Sequence, residues 1–514
     1  MRDARRSWAI AAVAGAALGG SVVLGPVPAL GFFAATLLMH ALHGVRTFRR
    51  ALAVGWIAGA VCNATALYWI VGLLEAFAHF PLVAAVPVAT LLFVAQGLVL
   101  GIATSLAWAA SERGAPRWLA LPAAIVATFT LAPFLFPWRP ASSGIGILPW
   151  AQVAELGGTP LLDALMVLTG SAAYEAMRRN HRGLAGLVLA LIVGPIAFGL
   201  VRLGAVEASR DAADTLRVGV VQPNIGIFDK HDPRFHPMHL HLLQDMSVRL
   251  EREGAELIVW PESAYPFPFP RGVSTDLRGR LAIRRGDMHT PLLVGAITRA
   301  SRCDRWNSAI AVDREGRIAG VSDKVELLAF GETVPLWEVL PPLQSMFPCP
   351  GIRAGTHPEV IALDGVRLGV LNCYEDVLAE HGRTLALRDP ELLINVTNDA
   401  WFGDTREPHL HQLVARYRAI ETRRDLVRVV NTGVSAHIAS TGATLWETET
   451  WVQTGVIADA KRLGGETVWI RLGDTTSPLS YAYLLAWLVV GLGARVRELK
   501  SRRARRASAT SAPP

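Results

Sequence analysis

From its N-terminus to about residue 203 the chain repeats one pattern, apolar runs broken by short connections that carry arginine, proline or glycine. A hydrocarbon core about 30 Å thick takes roughly 20 apolar residues of helix. On that criterion the pattern predicts about seven spans, at 8–24, 27–43, 51–74, 82–110, 118–136, 159–176 and 183–203, and an eighth at 481–496. The first run follows Arg2, Arg5 and Arg6, as a signal peptide would. Because the chain enters a new apolar run at Val27, an uncleaved span is expected there.

The connections alternate in charge. Those at Arg46, Arg49 and Arg50, at Arg113 and Arg117, and at Arg178, Arg179 and Arg182 are basic, as are the N-terminus and the tail 498–514. The connections 25–26, 75–81 and 137–158 hold only Arg139. Short basic connections stay in the cytoplasm, so both termini are expected there. The segment 204–479 then falls on the opposite face, the periplasmic side of a bacterial inner membrane. Asn63, Thr65 and Gln96 inside the runs read as helix-to-helix hydrogen bonds. The aromatic connection 137–158 is a candidate mouth at the membrane surface.

From Thr215 the periodicity changes to short β-rich runs between turn residues. LRVGVVQP (216–223), AELIVWPES (255–263) and PLLVGAI (291–297) read as strands, and 307–323 as a hairpin about the turn DREG. VRLGVLN (366–372) and ELLINVTNDA (391–400) are further strands, LVRVVNTG and SAHIAST close the sheet edge, and helices are expected before Gly254, after Cys373 and over 408–424. The division is thus a membrane domain (1–204), an α/β domain (215–472), a last span (480–497) and a basic tail.

Composition sharpens this reading. At 51% hydrophobic and 18% charged residues, the chain of 514 is too apolar for an ordinary soluble enzyme. Its net charge of +7 sits in short clusters between apolar runs, which speaks against a nucleic-acid partner. Four dispersed cysteines without a CxxC pair exclude a zinc ribbon, and whether Cys303 and Cys349 pair is left open. No Walker-type or GxGxxG loop is present.

A nucleophilic cysteine needs a lowered thiol pKa, a proton acceptor and donors for an oxyanion. Three residues at strand ends supply these types: Glu262 in WPES, Lys324 after the hairpin, and Cys373 in NCYED, where a following helix would add its positive end. His236, His239 and His241, like His409 and His411, lie close together without a carboxylate or cysteine to complete a metal site. No metal or cofactor is expected. Asn398, Asp399 and Trp401 read as structural turns, and Ser435 lacks the G-x-S-x-G elbow.

The order Glu262, Lys324, Cys373 resembles the triad of the nitrilase superfamily. With VVQPNI (220–225), WPES (260–263), FGETVP (330–335), NCYED (372–376), TNDAWFGDT (397–405) and the spans on either side, the chain resembles the apolipoprotein N-acyltransferases of bacterial membranes. That resemblance implies an α-β-β-α sandwich beside a multi-span helical domain. It implies Glu262 as general base, Cys373 as nucleophile and Lys324 as the partner of thiolate and oxyanion. Glu332 would orient Lys324, the Tyr374 amide would be a second oxyanion donor, and Glu375 is a supporting candidate.

The implied reaction is ping-pong acyl transfer through a thioester, from a membrane phospholipid to the α-amine of a diacylated apolipoprotein. Ala329, Glu326, His231 and Asn372 depart from the family's usual residues. Segments 264–272 and 340–351, which combine aromatics with proline, are candidates to reach the lipid. A membrane-anchored amidase with the same triad and a catalytically silent nitrilase-fold scaffold are the competing readings.

Overall fold

The computed structural model describes residues 2–491 apart from Ala78 and Phe330. The basic tail, the last residues of the eighth expected span and the first residue of FGETVP therefore lie outside the described residues.

The N-terminal half is a bundle of α1 (Arg2–Val23), α2 (Pro28–Leu42), α3 (Phe48–Ala66), α4 (Ile70–Phe77), α5 (Leu82–Ser111), α6 (Arg117–Leu131), α7 (Leu148–Ala151), α8 (Ala154–Arg179) and α9 (Arg182–Asp211). Within these, α1, α5, α8 and α9 are long and apolar enough to cross a membrane, and α3 with α4, bent by 56° at their break, make a fifth candidate. Helices α2 and α6 have 15 residues each and rise only about 22 Å, shorter than expected. Pro28 opens α2 and extended backbone at His43 ends it, while α6 starts after Pro116 and stops at extended Ala132.

Small residues let the helices approach closely. A Cβ at Gly15 would stand 2.1 Å from the Ala58 carbonyl oxygen, and one at Gly59 would stand 2.3 Å from that of Gly97. Of the expected polar bonds, that of Asn63 and Gln96 crosses the bundle, with Gln96 Nε2 donating to Asn63 Oδ1 at 3.1 Å and Trp138 Nε1 reaching the same oxygen at 3.4 Å, whereas the Thr65 hydroxyl donates to the Val61 carbonyl within its own helix. Basic connections gather on one face, where Arg117 donates to the Leu42 carbonyl at 2.9 Å and the His43 and Tyr174 rings lie 6.1 Å apart.

The second half is a sandwich of two sheets. One has the order β12-β1-β2-β3-β4-β5, the other β11-β10-β9-β8-β7-β6. The first is built from β1 (Thr215–Gln222), β2 (Leu257–Pro270), β3 (Leu292–Arg299), β4 (Arg305–Val312), β5 (Ile318–Asp323) and the returning β12 (Thr454–Lys461). The second contains β6 (Val360–Leu363), β7 (Val366–Asn372), β8 (Leu392–Thr397), β9 (Leu426–Val430), β10 (Ala436–Ile438) and β11 (Thr444–Glu447). Strands β9 and β10 are thus internal to a sheet rather than its edge, since β11 extends the ladder and β12 crosses over to pair with β1.

Alternate residues of both sheets, among them Val218, Val259, Leu293, Val370, Ile394 and Val427, fill the layer between them. After the short α10 (Ile227–Lys230), α11 (His236–Arg252) covers the first sheet with Leu243, Met246 and Leu250. A short α12 (Pro341–Met346) follows β5, and α13 (Ala379–Ala386) and α14 (Glu407–Thr422) cover the second sheet. Beyond them come α15 (Val468–Leu472) and α16 (Thr476–Gly491).

Helix α14 has two packed faces. Ala415 and Ala419 lie on the sheet, while Leu413, Tyr417 and Ile420 pack against Trp150 and Ile145 of the 137–158 connection. The Tyr417 hydroxyl donates to the Ala141 carbonyl at 2.8 Å. Segment 264–270 is part of β2, with Phe269 buried and Phe267 packed on the same core, so it does not reach for lipid. Around α12, by contrast, Leu340, Met346 and Phe347 are exposed.

Candidate active site

Glu262 sits in β2 where the ladder to β3 slips register, and Ser263 beside it takes a positive φ of 46°. The bulge needs Gly295 opposite, because a Cβ there would meet the Pro261 oxygen at 2.1 Å. Lys324 follows β5, and its N–H is fixed to the Asn307 carbonyl at 2.8 Å. Cys373 follows β7 at φ 51°, a left-handed conformation that turns the chain off the strand. The two sheets thus bring the three expected residues together at one end of the sandwich.

Their geometry is tight. Lys324 Nζ lies 2.8 Å from Glu332 Oε2 and 3.4 Å from Glu262 Oε1, and Glu332 Oε2 also accepts the Leu328 N–H at 2.9 Å. Asn307 was not singled out by the sequence. It donates from Nδ2 to Glu262 at 2.6 Å and to Glu332 at 3.1 Å, so one amide holds both carboxylates. Lys230 was missed as well, and its Nζ donates to the Glu262 carbonyl at 3.0 Å. Burial pulls Lys230 down to about 8, against the pull of Glu262 and Cys373. Neither residue belongs to a strand-end triad pattern; their partners are visible only once the strands are paired.

The thiol differs from the expectation of a lowered pKa. Burial, and then the Glu262 carboxylate, push Cys373 well above the ordinary thiol range, with Lys324 opposing them. A five-residue 3₁₀ turn, Cys373–Val377, follows it in place of the expected helix, and α13 starts only at Ala379. No helix dipole therefore acts directly on the sulfur. The resting group is a neutral thiol, and a base is needed at the moment of attack. Burial also pulls Lys324 down, but the Cys373 sulfur once ionised, together with the Glu262 and Glu332 carboxylates, outweighs it and holds the ammonium well above its usual range.

Tyr374 lies with its ring 5.7 Å from Lys324 Nζ. Glu375 is not a solvated carboxylate: it is buried and accepts the N–H groups of Val325 (2.7 Å), Glu326 (3.0 Å) and Asn372 (2.8 Å). It ties the Lys324 loop to the cysteine turn, and burial raises it to about 7 despite those bonds. The buried Asn372 side chain stands at the N-cap of the 3₁₀ turn, facing the Glu375 backbone N–H opposite the bond that Glu375 accepts from the Asn372 N–H.

Beneath the cysteine turn His411 is completed by carboxylates the sequence kept twelve or more residues away. Its Nε2 bonds Asp376 at 2.8 Å and its Nδ1 bonds Asp399 at 3.2 Å, with Glu407 close by. A carboxylate against each ring nitrogen suits an imidazolium that donates to both, while the ligand atoms of Asp399, Glu407 and His411 lie within 4.8 Å of one another. Burial opposes the charge, but Asp376 and Asp399 outweigh it and Arg428, raising His411 to about 10.

A raised histidine stabilises the fold fully below its unfolded value of about 6.5 and loses that contribution as pH rises through the folded value. His411→Gln is expected to melt earlier than the parent at pH 7, by a few kcal/mol in order of magnitude. Melting curves at several pH values should show the gap closing towards pH 10.

Cys373 and Tyr374 open into a pocket of about 790 Å³ whose far wall is the helical bundle, with Val22, Ala66, Trp69 and Phe136. Trp138 and Ser142 of the 137–158 connection line it, as do Leu410 and Val414 of α14. The Trp69 ring stands 5.1 Å from Phe402, closing the seam between the two halves. Hence the expected mouth is part pocket wall and part docking surface for α14.

Residues 217–464 match the model of the carbon-nitrogen hydrolases, and residues 14–172 match the apolipoprotein N-acyltransferase N-terminal domain. The chain is 30% identical over 523 residues to the apolipoprotein N-acyltransferase of Geobacter metallireducens, covering 97% of this chain and 96% of that one. It is 32% identical over 469 residues to the one of Agrobacterium fabrum, covering 84% and 86%. Among solved structures, an amidase from Nesterenkonia sp. is 20% identical with a TM-score of 0.37, covering 50% of this chain and 93% of its own. With one family model on the helical bundle, another on the sandwich, and such relatives along nearly its full length, the chain belongs to the apolipoprotein N-acyltransferases, membrane-bound acyltransferases with a nitrilase-type domain.

Proposed function

We propose that this chain moves an acyl group from a membrane phospholipid to the α-amine of a diacylated lipoprotein through a thioester on Cys373. The observation that carries the reading is the apolar pocket that joins the Cys373 turn to the wall of the helical bundle. An acyl chain drawn from the bilayer into water costs on the order of 0.8 kcal/mol per CH₂. A chain that slides from lipid into this pocket avoids that cost.

In the first half-reaction Glu262 takes the thiol proton, Cys373 Sγ attacks the ester carbonyl, and the lysophospholipid leaves with that proton. Lys324 Nζ and the Tyr374 amide stabilise the oxyanion. In the second, the neutral α-amine attacks the thioester, Glu262 accepts the amine proton, and Cys373 leaves and is reprotonated. Glu332 and Asn307 hold Lys324 and Glu262 in register; Glu375 holds the loop.

The domain boundaries expected above are part of the proposal, as is a catalytic domain on the periplasmic side with the basic connections in the cytoplasm. The bond between Cys303 and Cys349 supports that side, since disulfides persist in oxidising compartments.

The pocket provides the test. Ala66→Phe and Val414→Phe should shorten the longest acyl chain accepted, cutting transfer from long-chain phospholipids by about tenfold or more per few methylenes excluded. Cleavage of a short soluble ester should be unchanged in both. A membrane amidase would show no dependence of rate on acyl length in either variant.

A further inference from the structure

A second cavity, of about 540 Å³, opens where α9 leaves the bundle. It lies between Arg202, Val206 and Ser209 of that helix, and Arg423, Ser440 and the loop 463–467 of the sandwich. Only 6% of the apolar window of α9 is buried, as befits a helix facing lipid. From Arg182, in its first turn, to Arg202 the helix rises about 30 Å, the thickness of a hydrocarbon core. Arg202 and the cavity are therefore at the height of the lipid headgroups.

The charges of the cavity do not cancel. Arg202 donates to both oxygens of Glu155, at 2.6 and 3.0 Å, and Arg423 Nε donates to Glu155 Oε2 at 2.7 Å. Two guanidinium groups share one carboxylate, which leaves one positive charge. Glu466, the acid of the cavity wall, is paired with Arg471 at 2.7 Å. Arg423 is 8% exposed and follows α14 in left-handed backbone, its Nη1 bonded to Gln152 and the Ser440 carbonyl. Its Nη2 has no hydrogen-bond partner among the described residues, nor has Ser440 Oγ. Buried donors left unpaired beside a cationic pair are costly unless a ligand satisfies them.

We propose that this cavity binds a phosphate group at the membrane interface, borne by an anionic phospholipid or by free phosphate, with Arg202, Arg423 and Ser440 as its partners. The site is distinct from the acyl pocket. Glu407, at the start of α14, lines the Cys373 pocket, whereas Arg423 follows the end of that helix, about 24 Å away along its axis. A headgroup held there would clamp α9 to the sandwich. It goes beyond the acyl-transfer reading and does not depend on it.

The test uses the full chain in detergent micelles, titrated with dihexanoyl-phosphatidylglycerol, dihexanoyl-phosphatidylcholine or inorganic phosphate while thermal unfolding is followed. The anionic lipid should raise the melting temperature at concentrations at least tenfold below the zwitterionic one. Arg202→Gln should remove that preference. Gly464→Phe, which adds bulk at the cavity wall without changing its charge, should weaken binding of the anionic lipid, since a Cβ at Gly464 meets nothing within 4 Å and the ring can be accommodated.

If inorganic phosphate alone stabilises as well as the lipid, and both variants weaken its effect, the site stands and its ligand is free phosphate. Equal stabilisation by both lipids, or a preference that survives both variants, overturns the proposal. Acylation of Cys373 is measured in parallel on both variants, so that loss of the triad chemistry is not mistaken for loss of this site.

Discussion

Incubated with phospholipid vesicles, the purified chain is expected to gain one acyl-sized mass increment on Cys373, and Cys373→Ala none. Removing a covalent nucleophile costs on the order of 10⁶ in rate where no neighbour can replace it. The other free thiol, Cys62, is buried in the helical bundle. Fold stability should scarcely change, because alanine meets the same left-handed backbone at 51° as cysteine does. Intact-protein mass spectrometry reads the adduct, and addition of a diacylglyceryl-cysteine peptide should discharge it with the acyl group appearing on the peptide. Discharge by water alone would replace the acyltransferase scheme with a hydrolytic one.

Lys324→Met should damage stability and rate together, but for separable reasons. Lys324 is 1% exposed and is the counter-charge of the buried Glu262 and the half-buried Glu332. Breaking such a buried pair from one side costs about 3–5 kcal/mol, visible as an earlier denaturation midpoint. Loss of an oxyanion donor lowers the rate by about 10²–10³. In the double variant Lys324→Met with Glu332→Gln, one uncompensated charge is removed, so stability should recover in part while the rate does not. A rate that recovers along with stability would assign Lys324 a structural role only.

Lys324 and Cys373 were legible because each follows the end of a strand run, whereas Glu262, expected where a strand ends, lies inside β2 at its break in register. Glu332 was legible only through its motif. Asn307 and Lys230 were not, because an asparagine inside a strand and a lysine at the end of the short α10 carry no local sign of the Glu262 carboxylate and carbonyl they will meet. The same holds for His411: its partners Asp376 and Asp399 come from a turn after β7 and a turn after β8, and only the pairing of those strands sets them either side of one imidazole. The helix expected directly after Cys373 starts only at Ala379, for a local reason. Glu375 turns back to the Asn372 N–H and to the Lys324 loop, and the backbone closes a 3₁₀ turn around it.

By itself the sequence determined a bundle of apolar helices with its basic connections on one face, a sandwich of alternating strands, and that Lys324 and Cys373 follow strand ends. Those features are local, set by hydrophobic period and by charge next to apolar runs. Tertiary structure alone decided that the thiol rests neutral beside Glu262, that one asparagine holds two carboxylates, that Phe269 is core, and that the Cys373 turn faces the bundle across an apolar pocket. Each of these depends on the distance between groups far apart in the chain. Burial and Coulomb interaction act through that distance, and no periodicity records it.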